Sequence, residues 1–204
     1  MSTPRPDTEE GVVNLALGHL HEPGIALISE DTVAARTARK WFGAARDAVL
    51  RRYPWNFAKS WCRPAADVTD SLGPLVKRYP LPPDCVGVQF VKDLGTDEWD
   101  IEGGTITDVS ETEIEATVLV SNSTAPIVCY TRRVEAVRLW DAMFVTCFAL
   151  ELAAAMSGEL GHAELGPSLR AQWQAELDET KRADAQEKAR GEVSRDTSWI
   201  LSRV

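Results

Sequence analysis

Basic residues are the minority in this chain: 22 Lys and Arg stand against 31 Asp and Glu, a formal charge of −9. That balance repels phosphate backbones and argues against nucleic-acid binding by the surface as a whole, leaving room only for a local basic face. Histidine is scarce, with three in the chain, and the four cysteines at 62, 85, 129 and 147 form no Cys-x-x-Cys pair and have no histidine at ligand spacing. Neither a zinc site nor any other cofactor is expected from them. The opening MSTPRPDTEE has no apolar core of the kind a secretory signal needs, so a reducing cytoplasm and free thiols are expected. Long hydrophobic runs are missing too. The most apolar stretch, Ala142 to Leu150, is closed off by Asp141 and Glu151, far below the roughly 20 residues that span a bilayer, and no membrane partner is expected. Internal repeats and low-complexity tracts are also lacking.

What the chain does contain is two regimes of pattern. Asp7 with Glu10 reads as a capping pair before Val12, Leu15, Ala16 and Leu20, giving a first helix that stops by Pro23 and Gly24. Ser29 and Asp31 compete to cap a second. In VAARTARKWFGAARDAVLRRYPWNFA, the residues Val33, Thr37, Trp41, Ala44, Ala45, Ala48 and Val49 fall on one face, with arginines largely on the other. Pro54 cannot continue the ladder and pushes Tyr53 out of the helical region, so the helix must end there.

From Phe57 to Arg133, prolines punctuate the chain and helical periodicity disappears. Thr112, Ile114, Ala116, Val118 and Val120 alternate with Glu111, Glu113, Glu115, Thr117 and Leu119, the period of a half-buried strand with an acidic outer face. IVCYT at 127 to 131 reads as a second strand, and Gly103-Gly104 as a hairpin turn. Helix returns after Val134 with a segment apolar over most of its circumference, then a last helix from about Pro167 to Arg190. The expected fold is α+β: a bundle of about four helices from both ends of the chain, residues 1–56 and 134–190, with an antiparallel β insertion at 57–133 and an extended tail at 191–204.

Catalytic patterns are sparse. No Gly-x-Ser-x-Gly elbow or phosphate loop is present. His19, His21 and Glu22 cluster in sequence, but residues two apart on a helix point to different sides, so solvated helix-end histidines are expected. His162 reads as a plain loop residue. Glu113 and Glu115 would lie about 7 Å apart at about 3.4 Å per residue, a spacing that also suits an inverting glycosidase. A solvated acidic face explains the same residues without catalysis. The unusual content is aromatic: Trp41 and Trp173 are expected in the core, Trp55 and Trp61 packed at the junction of the two regimes, and Trp199, Ile200 and Leu201 facing a partner.

Taken in order, VNLALGHLHEPGIALISEDTVAARTARKWFGAARDAVLRRYPWNFA, RYPLPPDCV, WDIEGGTI, IVCYTRRVE and LWDAMFVTCFALELAAAM resemble the tail tubular protein A family of tailed bacteriophages, the head-to-tail adaptors or gatekeepers. The resemblance covers roughly residues 11 to 160, and is strongest at Glu30-Asp31, Arg46-Asp47, Tyr53-Pro54-Trp55-Asn56-Phe57-Ala58 and the segment from Tyr79 to Asp84. It implies a non-enzymatic virion protein, made in the host cytoplasm and assembled as a dodecameric ring. Such a ring meets the portal protein on one side and the nozzle or next tail protein on the other, while genomic DNA passes through without specific binding. On that reading Glu111, Glu113 and Glu115 face the lumen or a neighbouring subunit. Two other readings stay open at this stage: a carboxylate-dependent hydrolase acting on cell-wall sugar, and a regulatory binding module of the host.

Overall fold

The computed structural model describes residues 6–67, 73–107 and 113–193, with the side chains of the last helix described as far as Arg182. It is an α+β protein with four α-helices and two three-stranded antiparallel sheets among the described residues. The helices are α1 (Glu9–His19), α2 (Val33–Arg52), α3 (Ala142–Met156) and α4 (Gly166–Val193). The strands are β1 (Lys59–Cys62), β2 (Lys77–Pro80), β3 (Cys85–Val91), β4 (Trp99–Thr107), β5 (Glu113–Ser121) and β6 (Val128–Arg132). Contacts divide the chain into a helical unit, Met1–Val49 with Val137–Val204, and a β unit, Leu50–Ala136. No helix among the described residues is long and apolar enough to cross a membrane.

In the helical unit the most apolar helix takes the central place. α3 packs against both α1 and α4, and ten of its residues are buried, from Phe144 to Met156. Its start is set by Asp141, whose carboxylate accepts from the Met143 amide at 2.8 Å. Just before it Trp140, with no exposed surface, gathers Phe42, Phe144 and Phe148 around its ring at centroid distances of 6.1, 4.9 and 5.0 Å. This cluster decides which face of α2 turns inward. Ala35, Thr37, Ala38, Phe42, Ala45 and Val49 are buried, so Thr37, Ala45 and Val49 turn inward as expected while Phe42 takes the inward place expected of Trp41. Val33 is exposed, as are Ala44 and Ala48. One residue of offset on a helix is a rotation of about 100°.

The helix ends differ in detail from their sequence signals. Thr8, between Asp7 and Glu9, caps α1 by accepting from the Gly11 amide at 3.1 Å, and Thr32 Oγ1 accepts from the Ala35 amide at 3.2 Å, where Ser29 and Asp31 were expected. α1 stops before Pro23 and Gly24. His21 adopts φ 58°, the Glu22 amide reaches back to the Leu17 carbonyl and the His21 amide to that of Gly18, the paired bonds of a left-handed helix terminator. Asn14 then clamps the following loop, its side chain exchanging two bonds with the backbone of Ile25 at 2.8 and 2.9 Å.

The β unit has its own interior. One sheet runs β1-β6-β3 and the other β2-β5-β4, and their facing sides share one cluster: Tyr79, Leu81 and Leu119 against Val91, Val128 and Tyr130. The far side of the second sheet carries a smaller cluster of Ile106, Val118 and Val120. Near its C-terminal end β5 is therefore buried on both faces, with Leu119 fully enclosed. This corrects the alternating pattern, which put Leu119 outside with the glutamates.

Gly103-Gly104 is also not a turn. β4 continues straight through both residues, paired with Thr117 and Ala116 of β5. The reason lies on β2: the Arg78 guanidinium crosses the sheet to donate to the Thr105 carbonyl at 3.0 Å, and a Cβ on Gly104 would stand 2.3 Å from its Nη2. Glycine at 104 is room for an arginine.

Candidate functional site

The acidic strand anticipated from the sequence is present, and its surroundings give it a distinct character. β2 pairs with β5 only from Val118 to Ser121, with one further bond from the Leu81 amide to the Thr117 carbonyl at 3.0 Å. Among the described residues, β5 from Ala116 outward pairs with β4 alone, Glu115 opposite Thr105, Ile114 opposite Ile106 and Glu113 opposite Thr107. This end is a two-stranded ribbon. Glu113 and Glu115 are exposed on one face, and Ile114 is 43% exposed on the other. An isolated two-stranded ladder is marginal in water. Glu111 lies outside the described residues, as do Trp199, Ile200 and Leu201.

Several titratable groups outside this strand are engaged structurally. Among the described residues no group of three or more His, Cys, Asp or Glu side chains is placed to hold a metal ion. Glu22, grouped in sequence with His19 and His21, instead meets His162 at 2.8 Å. His162 thus ties the loop after α3 to the turn after α1, which is more than the plain loop residue expected. A shallow depression in the β unit is lined by Pro83, Asp84, Arg133 and Glu135. Within it Asp84 accepts from the Tyr130 hydroxyl at 3.4 Å, and its carbonyl accepts from the Arg133 amide at 2.7 Å.

All four cysteines are free thiols. Burial pushes the Cys85 thiol up to about 11, with nearby Cys62 adding to the effect. Burial likewise takes Cys147 to about 11, Glu176 contributing. At pH 8 a thiol with such a pKa is ionised in roughly one molecule in a thousand. Aromatic disulfide reagents at pH 8 are therefore expected to modify Cys85 and Cys147 at least about tenfold more slowly in the native protein than in urea. Equal rates would contradict their burial.

Trp41 reaches the surface of the helical unit. Its indole N–H donates to Glu159 at 3.0 Å, beside Lys40 Nζ at 2.5 Å. These two donors, Lys40 foremost, hold the Glu159 carboxyl below its ordinary 4.5. A depressed carboxylate contributes stability above its unfolded pKa and loses that contribution as pH falls through its folded value. Lys40→Met is expected to return the Glu159 titration, followed by NMR of the side-chain carboxyl, toward the ordinary value; an unmoved titration would remove Lys40 as the cause.

The tryptophans separate by exposure. Trp173 and Trp55 are buried, Trp55 meeting Tyr53 edge to face at 5.0 Å. Trp61, expected to be packed away at a junction, is 49% exposed; it lies on the outward side of β1, a direction that depends on partner strands far along the chain.

The short motifs that carry the resemblance have structural work in this fold. Glu30 Oε1 accepts from the amides of Ala26 and Leu27 at 2.8 and 2.9 Å, and Asp31 pairs with Arg36 at 2.6 Å. Arg46 bonds its neighbour Asp47 at 3.0 Å. Tyr79 is enclosed and its hydroxyl donates to the Ser123 carbonyl. No family model matches this chain, and no curated protein matches it.

Proposed function

We propose that this chain is a structural virion protein, a head-to-tail adaptor that assembles with copies of itself into a dodecameric ring, joins the portal protein to the nozzle or next tail protein, and continues the DNA channel between them. In this reading the four helices, drawn from both ends of the chain, form one bundle, and the β unit is the insertion that neighbours hold. The observation that carries the reading is the two-stranded ribbon: an acidic element extended beyond its own sheet, with Ile114 exposed on one face and Glu113 and Glu115 on the other. Such an element costs local stability and gains from a partner that covers it. The ordered motifs from residue 11 to residue 160 support the same assignment, and the −9 charge suits a channel wall over which DNA passes without sticking.

Negative-stain images of the full chain mixed with its portal protein test the proposal. A ring stacked on one face of the portal is the expected result. Portal particles without added density would overturn it. Turnover of a cell-wall glycan that Glu113→Gln with Glu115→Gln abolishes would replace it with the hydrolase reading.

A further inference from the structure

The outward face of the β1-β6-β3 sheet differs in composition from the rest of this acidic chain. Its middle row sets Trp61, Cys129 and Phe90 side by side, Cys129 being the register partner of both aromatics. The two rings meet edge to face at 5.4 Å, Phe90 is 41% exposed, and Cys129 beneath them has no exposed surface. Register shifts in β3, between Cys85 and Gly87 and between Val88 and Phe90, are what aim Phe90 outward while Val88 and Val91 pack inward. Bulges of this kind re-aim individual side chains at functional surfaces.

One cation lies against the pair. Lys59 Nζ lies 5.6 Å from the Trp61 ring centroid and 5.8 Å from that of Phe90. Arg63 follows beyond the end of β1 and Lys92 beyond the end of β3; both are exposed. The outward positions of the three strands, namely Lys59, Trp61, Gly87, Gln89, Phe90, Cys129 and Thr131, include no carboxylate. Exposed tryptophan is over-represented among interface anchors, and Lys59 sets a positive charge beside this one.

The same unit carries the chemical complement of this face. The ribbon offers two exposed carboxylates, Glu113 and Glu115, and the exposed side chain of Ile114, against three cations and an aromatic pair. A nucleic acid suits the face less well: the chain's charge of −9 opposes it, and Lys59 already covers both rings where a base would stack. The face belongs to one sheet and the ribbon to the other, so a contact between them joins unlike surfaces of two copies. Such head-to-tail contacts close into rings or run on as open arrays.

We propose that the face formed by Lys59, Trp61, Arg63, Phe90 and Lys92 receives the Glu113-Ile114-Glu115 ribbon of a second copy of this chain. The proposal rests on the self-assembly in the adaptor reading and names the contact between neighbours.

Sedimentation velocity of the full chain over a range of concentrations tests it, with folding of every variant checked by circular dichroism. The wild-type chain is expected to associate, more weakly as salt is raised. Lys59→Glu with Arg63→Glu in one variant, and Glu113→Lys with Glu115→Lys in another, are each expected to weaken association about tenfold or more, because each juxtaposes like charges. An equimolar mixture of the two variants pairs opposite charges at both kinds of contact and is expected to recover association to within about threefold of wild type. Failure of the mixture to recover, or a wild-type chain that stays monomeric throughout, overturns the proposal. A monomer that binds a labelled single-stranded oligonucleotide, with binding lost in Trp61→Ala, assigns the face to nucleic acid instead. Portal-bound rings that both charge variants still form would sink this contact while leaving the adaptor reading intact. Recovery in the mixture, with no ring on the portal, would do the reverse.

Discussion

Trp140→Ala is expected to destabilise the helical unit by about 3–5 kcal/mol, the range for removing a large aromatic from a packed interior. Trp140 has no exposed surface, and three phenylalanine rings have centroids within 6.1 Å of its own. Its loss leaves a hole bordered by side chains from α2 and α3, neither of which can close it without giving up other contacts. Phe42 and Phe148, themselves edge to face at 4.9 Å, would each lose a neighbour. Against a typical domain stability of about 5–15 kcal/mol, this one change removes a large share. Urea titration is the measurement: the midpoint should fall with the slope unchanged. The same truncation at half-buried Trp41, whose indole bonds Glu159 at the surface, should lower the midpoint far less. Equal costs at the two tryptophans would contradict the position of the aromatic cluster.

Leu119→Ala is the second large effect, at about 2–5 kcal/mol in the β unit. Leu119 is fully buried between the two sheets beside Tyr79 and Val128. Two residues earlier on the same side of β5, Thr117 is exposed, and Thr117→Ala should stay within about 0.5 kcal/mol. The contrast matters because simple alternation treats the two positions alike. Thermal or urea unfolding of the pair separates the accounts: similar small effects would restore the purely outward face for Leu119.

That contrast also shows where sequence reading stops. The helix spanning Val33 to Arg52 and its end before Pro54 were legible because proline acts locally, through its ring and its missing N–H. The apolar circumference of α3 was legible for a similar reason, since a helix without a polar side must be covered on several sides. IVCYT appears as β6, Val128–Arg132.

What escaped depends on partners distant in the chain. Phe42 displaces Trp41 at the centre of the α2 stripe because Trp140 and Phe148, about a hundred residues away, complete its cluster. Gly103-Gly104 has the composition of a turn, and only the guanidinium of Arg78 explains why it lies in mid-strand. The acidic residues Glu113 and Glu115 were visible from their alternation. That β2 stops short of them was not, because it depends on how far β2 reaches. The basic aromatic face was hidden altogether: CVGVQFV has no clean period of two, its register being shifted twice against β6.

The end of β2 at Pro80 divides β5 into two thermal regimes. Amide protons of Val118, Leu119 and Val120 lie in a three-stranded ladder under a buried interior and exchange with deuterium only through large openings, whereas those from Glu113 to Ala116 can open by local fraying of a single pairing. One strand thus joins a permanent anchor to a segment that solvent continually tests, and docking would show itself as slowed exchange in that segment before any other part of the molecule responds.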